Sequence, residues 1–205
     1  MNPSAAPAFE GLWNHNIAYL GDLLGVMPPR CGTALDIGCG DGLLCRAMSQ
    51  RTRQVVGLDP DFASIKAARE HSPELANVTY IEGDFRTEQF DPGTFDFITA
   101  VASLHHMPLE EALSKARELL CPGGTLAVSG CAQSHNPLDF AYDAVGVIGN
   151  RLIQRKRGWW NHAAPIAAPD RSYADVRRVA NELLPGHHFV RRIYFRYTIT
   201  WTRPA

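Results

Sequence analysis

Short apolar and β-branched runs alternate with longer segments of helical period from residue 33 onward. Five of these runs predict strands, at 33–38, 54–59, 78–82, 95–101 and 124–130. Helices are expected between them, and this alternation is typical of parallel strands joined by crossover helices. The pattern therefore predicts an α/β fold.

Three helical segments have recognisable boundaries. Asp61 is suited to cap the N-terminus of a helix over 61–71, and Pro108 precedes an amphipathic segment at 109–120. The Pro-Gly-Gly run at 122–124 predicts a turn into the next strand. A further helix is expected at 172–184.

The end of the chain breaks the alternation. Residues 187–204 contain two β-rich runs with no helical segment between them, which predicts a terminal hairpin with one antiparallel strand. A chain of 205 residues with 45% hydrophobic content fits one core. We therefore expect one domain over 1–205, with an N-terminal helical lid at 1–30 and an irregular and helical insertion at 150–185.

Five cysteines form an odd set without CxxC spacing, which argues against a disulfide framework and a structural zinc site. The start of the chain lacks the features of a signal peptide, and no apolar stretch approaches the roughly 20 residues that span a bilayer. The sequence predicts a cytoplasmic protein with reduced thiols and no membrane partner.

Charge is unevenly distributed although the net charge is only -1. Residues 1–150 carry 9 Lys and Arg against 18 Asp and Glu, whereas residues 151–205 carry 11 against 3. A basic end can mark an anionic partner such as nucleic acid, but a solvated basic face is the favoured interpretation.

The segment LDIGCGDG at 35–42 ends one strand and begins a helix. Its glycines fall where the backbone turns sharply and can approach a ligand closely, and Gly42 gives GxGxG spacing rather than the GxGxxG of dinucleotide sites. Asp36 and Asp41 would repel a phosphate and suit a cationic ligand. Cys39 is expected to contact the ligand as a small residue, not as a nucleophile.

Five segments together resemble the small single-domain class I S-adenosylmethionine-dependent methyltransferases of the type 11/25 kind. They are residues 36–42, 57–60, 82–85, 95–106 and 120–126. The resemblance implies a Rossmann-like, mostly parallel seven-stranded sheet with helices on both faces. It also implies S-adenosylmethionine as cofactor and S-adenosylhomocysteine as product.

The resemblance assigns roles to acids that follow the second and third strands. Asp59 would bind the ribose hydroxyls, and Asp84 would accept a hydrogen bond from the adenine amine beside Phe85. The predicted cofactor contacts are Asp36, Gly38, Cys39, Gly40, Gly42, Asp59, Pro60, Asp84, Phe85, Val101 and Tyr19.

Methyl transfer from a sulfonium is an in-line displacement that depends chiefly on positioning. His105 and His106 follow the fourth strand, where ligands of α/β sheets bind, and one of them is a candidate base or positioning group. His15 on the N-terminal segment is a third candidate. One structural and one surface histidine is the alternative for the pair. No metal site is expected, because the residues beside His106 include Ala102 and His105 rather than carboxylates.

The predicted function is methyl transfer to a small molecule. The alternatives are an RNA or tRNA methyltransferase that uses the basic C-terminal region, and a cofactor-binding subunit without turnover. Hydride transfer is disfavoured, because no tyrosine has a lysine four residues later. Trp159, Trp160 and the basic run at 155–157 are expected to cap the domain or to line an acceptor pocket. The acceptor, the methylated atom and the oligomeric state are left open.

Overall fold

A computed structural model describes residues 13–157 and 168–205. Seven strands form one sheet in the order β3-β2-β1-β4-β5-β7-β6. The strands are Cys31–Ile37 (β1), Thr52–Asp59 (β2), Val78–Glu82 (β3), Phe95–Val101 (β4), Leu120–Gly130 (β5), His188–Arg192 (β6) and Arg196–Thr202 (β7).

Strands β1 to β5 pair in parallel, and β7 pairs antiparallel to both β5 and β6. This confirms the predicted Rossmann-like sheet with an antiparallel strand from the terminal hairpin. β1 lies between β2 and β4, so the strand order reverses there. In open α/β sheets a ligand crevice forms at this reversal, outside the carboxyl ends of the strands.

Helices cover both faces of the sheet. α1, α2 and α3 pack on one face in a cluster that includes Phe97 and Ile65, and α4 and α6 pack on the other around Ile98 and Leu113. The helices are Leu20–Gly25 (α1), Leu43–Ser49 (α2), Phe62–Glu70 (α3), Leu109–Leu119 (α4), Pro137–Arg157 (α5) and Tyr173–Leu183 (α6).

The predicted helix starts are confirmed by their caps. The Asp61 side chain accepts a hydrogen bond from the Ser64 backbone N–H at 2.8 Å. Ser172 and Asp175 form a reciprocal capping box at the start of α6. These bonds satisfy N–H groups that the first helical turn leaves without intrahelical partners.

The sequence pattern did not predict α5. It begins before the segment at 150–185 that was expected to be irregular and helical and ends inside it, and it contains Gly146 and Gly149 in its interior. A side chain at Gly146 would lie 3.0 Å from the Tyr194 backbone nitrogen, and one at Gly149 would lie 3.2 Å from the Tyr194 hydroxyl. The two glycines therefore let the hairpin turn pack directly against the helix.

Within the described ranges, no helix has the length and apolar content to cross a membrane.

The described part of the N-terminal segment packs against the same turn. A 3-10 helix at Ile17–Tyr19 leads into α1. Trp13, Tyr19 and Tyr194 form a small apolar cluster, and the Trp13 indole donates to the Asn150 side chain of α5 at 3.2 Å. The N-terminal segment, α5 and the hairpin turn thus support one another over one end of the sheet.

Candidate active site

A cavity of about 750 Å³ opens at the carboxyl ends of the parallel strands. The loops after β1, β2 and β3 line one half of it, and we call this the acidic half because Asp36, Asp41, Asp59 and Asp84 lie there. The segments 14–20, 103–107, 131–132, 168–169 and 195–196 contribute the lining of the second half. Ligand pockets typically measure about 300–1,000 Å³, so the space suits two small ligands side by side.

The glycine loop after β1 has three residues with positive φ: Gly38 at 72°, Gly40 at 55° and Gly42 at 78°. A Cβ at Gly38 would lie 2.4 Å from the Cβ of Ser103, and one at Gly42 would lie 2.3 Å from the Tyr80 hydroxyl. At Gly40, no described atom lies within 4 Å of that position. Gly38 and Gly42 are therefore needed for packing, whereas Gly40 leaves space in the cavity for a ligand against the backbone.

Asp36 is the most buried acid of the cavity, at 2% exposure. The Thr99 hydroxyl donates to it at 2.8 Å and the Cys45 thiol at 3.6 Å. Burial raises the pKa of Asp36 to about 7, against these hydrogen bonds, and the nearby charge of Asp59 adds to the rise. A cation bound here would favour the ionised carboxylate.

This raised pKa predicts how stability depends on pH. The unfolded chain loses the Asp36 proton near pH 4 and the folded chain near pH 7, so the contribution of Asp36 to stability falls as pH rises between these values. Asp36→Asn keeps a carbonyl oxygen for Thr99 and removes the buried charge. At pH 8 we expect the free energy of unfolding of the variant to exceed that of wild type by on the order of 2–4 kcal/mol.

Urea unfolding of both proteins at pH 5 and pH 8 checks this prediction. The difference in unfolding free energy between variant and wild type should be smaller at pH 5 than at pH 8, because only part of the pH range between the two pKa values has been crossed at pH 5. A variant that is less stable than wild type at pH 8 would contradict it. Although the variant is expected to be more stable at pH 8, it should bind the cofactor more weakly than wild type, because the carboxylate is lost from the cavity.

Asp59 ends β2 and connects two loops at the edge of the cavity. One carboxylate oxygen accepts from the Gly40 backbone N–H at 2.9 Å, and the other accepts from the Asp61 backbone N–H at 2.9 Å. The side chain is 7% exposed, and Pro60 beside it also lines the cavity. Asp59 therefore holds the glycine loop in place, in addition to its predicted ribose contact.

Asp84 lines the cavity after β3, with the buried Phe85 next to it. Both Asp84 oxygens accept hydrogen bonds from the Arg86 guanidinium, which lowers the pKa of the carboxyl group. A carboxylate has further lone pairs, so the predicted adenine contact stays a prediction. The adenine amine would then donate to the same carboxylate that Arg86 already binds.

The three candidate histidines all line the cavity. The rings of His105 and His106 lie 4.2 Å apart between centroids, directly after β4. Ala102 turns the chain between the strand and this pair with a φ of 50°. His15 reaches the cavity from the N-terminal segment. The structure thus brings together groups that are separated by about 90 residues in the sequence.

His15 has a distinct electrostatic environment. Burial lowers the pKa of His15 to about 4, and the positive charge of Arg196 lowers it as well, against a hydrogen bond with Asn150 that raises it. The imidazole is therefore neutral at neutral pH, and it is a weak base there. A positioning role suits His15 better than proton transfer.

Two residues predicted to contact the cofactor, Tyr19 and Gly42, are not among those that line the cavity. The Tyr19 hydroxyl donates to the Ile193 carbonyl at 2.7 Å, and its ring is buried against the hairpin turn. Gly42 faces the Tyr80 side chain. Cys39, Val101 and the other predicted contacts line the cavity. Trp159 and Trp160 lie outside the described residues.

Sequence reasoning missed several residues of the cavity. Arg196 at the start of β7 was not distinguished from the other arginines of the hairpin, and Phe195, Cys131 and Met107 were not selected. Asn16 on the N-terminal segment was given no role. Only the pairing of β7 with β5 brings Arg196 to the cavity, and no local sequence signal carries that information.

Comparisons with known proteins identify similar sequences and structures. Residues 35–128 match the model of a methyltransferase domain family. An uncharacterized methyltransferase of Mycobacterium tuberculosis is 31% identical over 195 residues, which cover 94% of this chain and 98% of the relative. A ubiquinone biosynthesis O-methyltransferase of Xanthomonas campestris is 37% identical over 119 residues, which cover 55% of this chain and 47% of that one. This chain therefore matches only about half of the latter.

Several solved structures are similar over nearly the whole chain. One of them is the phosphoethanolamine N-methyltransferase 2 of Haemonchus contortus, in complex with phosphomonomethylethanolamine and S-adenosylhomocysteine. The TM-score is 0.65 at 15% identity, and the match covers 94% of this chain and 53% of that one. At this identity the likeness concerns the fold.

Proposed function

Because this chain belongs to the class I S-adenosylmethionine-dependent methyltransferases, we propose that it transfers the methyl group of S-adenosylmethionine to a small molecule held in the same cavity. The observation that carries this proposal is the two-part cavity. Its acidic half lies over β1 and β2, and its second half lies beyond β4.

The acidic half fits the proposed cofactor by charge and by space. Burial raises the pKa of the Asp36 carboxyl, so a cation bound beside it would stabilise its ionised form. Gly40 faces open space, and Asp59 and Asp84 stand where they can accept hydrogen bonds. When bound, S-adenosylmethionine supplies an electrophilic methyl group on a sulfonium, and its ammonium group is a second cation for these acids.

The protein's own contribution is mainly positioning. The glycine loop and Asp59 fix one ligand, and the residues after β4 and β5 enclose the space beside it. Holding two reactants in line removes much of the entropic barrier to displacement and excludes competing water. His105 or His106 would add proton transfer if the acceptor is a hydroxyl or phenol.

Small-molecule transfer is favoured over RNA transfer by how the arginines are used. Most arginines in the described part of the basic C-terminal region have partners inside the fold. These pairs are Arg171 with Glu110, Arg178 with Glu182, Arg191 with Asp143 and Arg192 with Asp22, while Arg203 donates to backbone carbonyls and Arg177 lies over the Phe189 ring. Neighbouring groups of the protein partly offset these charges, which leaves less attraction for a phosphate backbone.

The experiment has a binding step and a transfer step. Calorimetry of the purified protein should show binding of S-adenosylmethionine and S-adenosylhomocysteine and no binding of NAD. Methyl-labelled cofactor is then incubated with a small-metabolite extract and, separately, with total RNA. We expect label in the small-molecule fraction.

The outcomes separate the proposal from its alternatives. Label confined to RNA would establish the RNA methyltransferase instead. Cofactor binding without labelled product from either extract would support a subunit without turnover. Binding of NAD alone would contradict the proposal from the start.

A further inference from the structure

Opposite charges line the two halves of the cavity. Four carboxylates stand in the acidic half, where Arg86 pairs with Asp84, whereas the segments 14–20, 103–107, 131–132, 168–169 and 195–196 of the second half contain no Asp or Glu. Arg196 supplies the positive charge of these segments, and the rings of His15, His105 and His106 add nitrogen atoms to the lining. A cationic ligand and an anionic ligand would each find a complementary region.

Arg196 is placed apart from the cofactor region by the order of the strands. It begins β7, and its neighbour Tyr197 pairs with Gly130 at the end of β5. β7 is the second strand beyond β4, on the side away from β1 and β2. Adjacent strands lie about 4.8 Å apart, so Arg196 starts about 10 Å from the β4 axis.

The three arginines of the hairpin differ in their partners. Arg191 lies 2.8 Å from Asp143, and Arg192 lies 3.3 Å from Asp22. For Arg196, no carboxylate within ion-pair distance is found in the described part of the chain. A partly buried guanidinium without a carboxylate at ion-pair distance carries an electrostatic cost that a bound anion would reduce.

The guanidinium of Arg196 is nevertheless held in place. Its Nε and Nη2 donate to the Asn16 side-chain oxygen at 3.3 and 2.7 Å, and its Nη1 donates to the Phe195 carbonyl at 3.2 Å. Within the described part of the chain, these bonds engage three of the five N–H groups of the Arg196 guanidinium. Two donors remain in a fixed group that lines the cavity.

Apolar side chains surround this cation. Ile17, Met107, Ala132, Pro169 and Phe195 line the same half of the cavity. Such a lining favours a ligand with an apolar body and few polar groups.

We propose that the methyl acceptor is a small acid, with an apolar body in the second half of the cavity and an ionised carboxylate or equivalent anion bound by Arg196. This inference rests on the proposed function, because it names the class of acceptor. Arg196 acts as a specificity-determining residue that binds the acceptor away from the transferred methyl group.

The test uses matched acid and amide probes: 4-hydroxybenzoate with 4-hydroxybenzamide, and 3-phenylpropanoate with 3-phenylpropanamide. Binding to the full chain is measured by ligand-observed NMR, with and without saturating S-adenosylhomocysteine. For at least one pair, wild type should bind the acid about tenfold or more tightly than the amide, as expected for a charge-assisted hydrogen bond.

Three variants locate the source of this preference. Arg196→Gln should reduce it to within about threefold, while amide binding and S-adenosylhomocysteine affinity stay near wild type. Arg196→Lys should restore part of it, since the charge returns without the planar fork. Arg192→Gln, on the same hairpin but outside the cavity lining, should keep the full preference.

Several results would overturn the assignment. They are equal binding of acid and amide by wild type, no binding of any probe at millimolar concentration, and an undiminished preference in Arg196→Gln. A tenfold loss of S-adenosylhomocysteine affinity in Arg196→Gln would instead assign this arginine to the cofactor. If wild type fails to bind S-adenosylhomocysteine, the proposed function fails. The binding measurements made without S-adenosylhomocysteine still test whether Arg196 binds the acid probes.

Discussion

A Gly40→Val variant should remain folded and lose binding of S-adenosylmethionine and S-adenosylhomocysteine by at least about a hundredfold. The Cβ position of Gly40 faces space with no described atom within 4 Å, so the new side chain meets the ligand rather than the protein. Its φ of 55° costs a non-glycine residue about 1–2 kcal/mol, which lowers stability without abolishing the fold. Calorimetry for affinity and thermal melting for stability check both parts.

Gly42→Ala is the matched control. Its φ of 78° gives similar strain, and its side chain would collide with the Tyr80 hydroxyl instead of entering the cavity. The control should therefore lose more stability than Gly40→Val and retain more affinity while it is folded. Unchanged cofactor affinity in Gly40→Val would remove the glycine loop from the binding site.

The second large effect is expected at the histidine pair. With the acceptor identified by labelled transfer, His105→Gln or His106→Gln should slow single-turnover transfer by roughly a hundredfold or more. If the missing group is a base, the loss should shrink as pH rises toward the acceptor's own pKa, because the acceptor then ionises without help.

His15→Gln provides the contrast. Since the pKa of His15 is lowered to about 4, its removal should slow transfer by a similar factor at every pH above 5. A pH-dependent loss in this variant alone would reassign the base to His15. Near wild-type rates in all three variants would leave positioning as the whole mechanism.

The parallel sheet was predictable because each central strand is a short apolar run followed by a turn signal. Strands at 78–82 and 95–101 were placed without error, and the other predicted strands begin two to four residues late. The helix from Pro137 was missed for a tertiary reason. Its interior glycines weaken helical propensity locally, and the packing of Tyr194 against them appears only in the folded chain.

The acidic half of the cavity was predictable from local motifs, since its loops directly follow strands that lie side by side. In the second half only the three histidines were selected from the sequence. Tyr19 looked suitable for a ligand contact but is turned toward Ile193. Arg196 looked like its neighbours in sequence, and only its lack of a nearby carboxylate partner among the described residues sets it apart.

The pairing of β7 with β5 also bears on the order in which the cavity forms. Strand β7 aligns Thr125 with Thr202, 77 residues apart, whereas the lining of the acidic half lies between Asp36 and Arg86 in the sequence. Contacts of long sequence separation carry the larger loop-closure entropy and form slowly. During synthesis the loops of the acidic half can therefore assemble first, and Arg196 joins the cavity only after β7 has been made and has paired with β5.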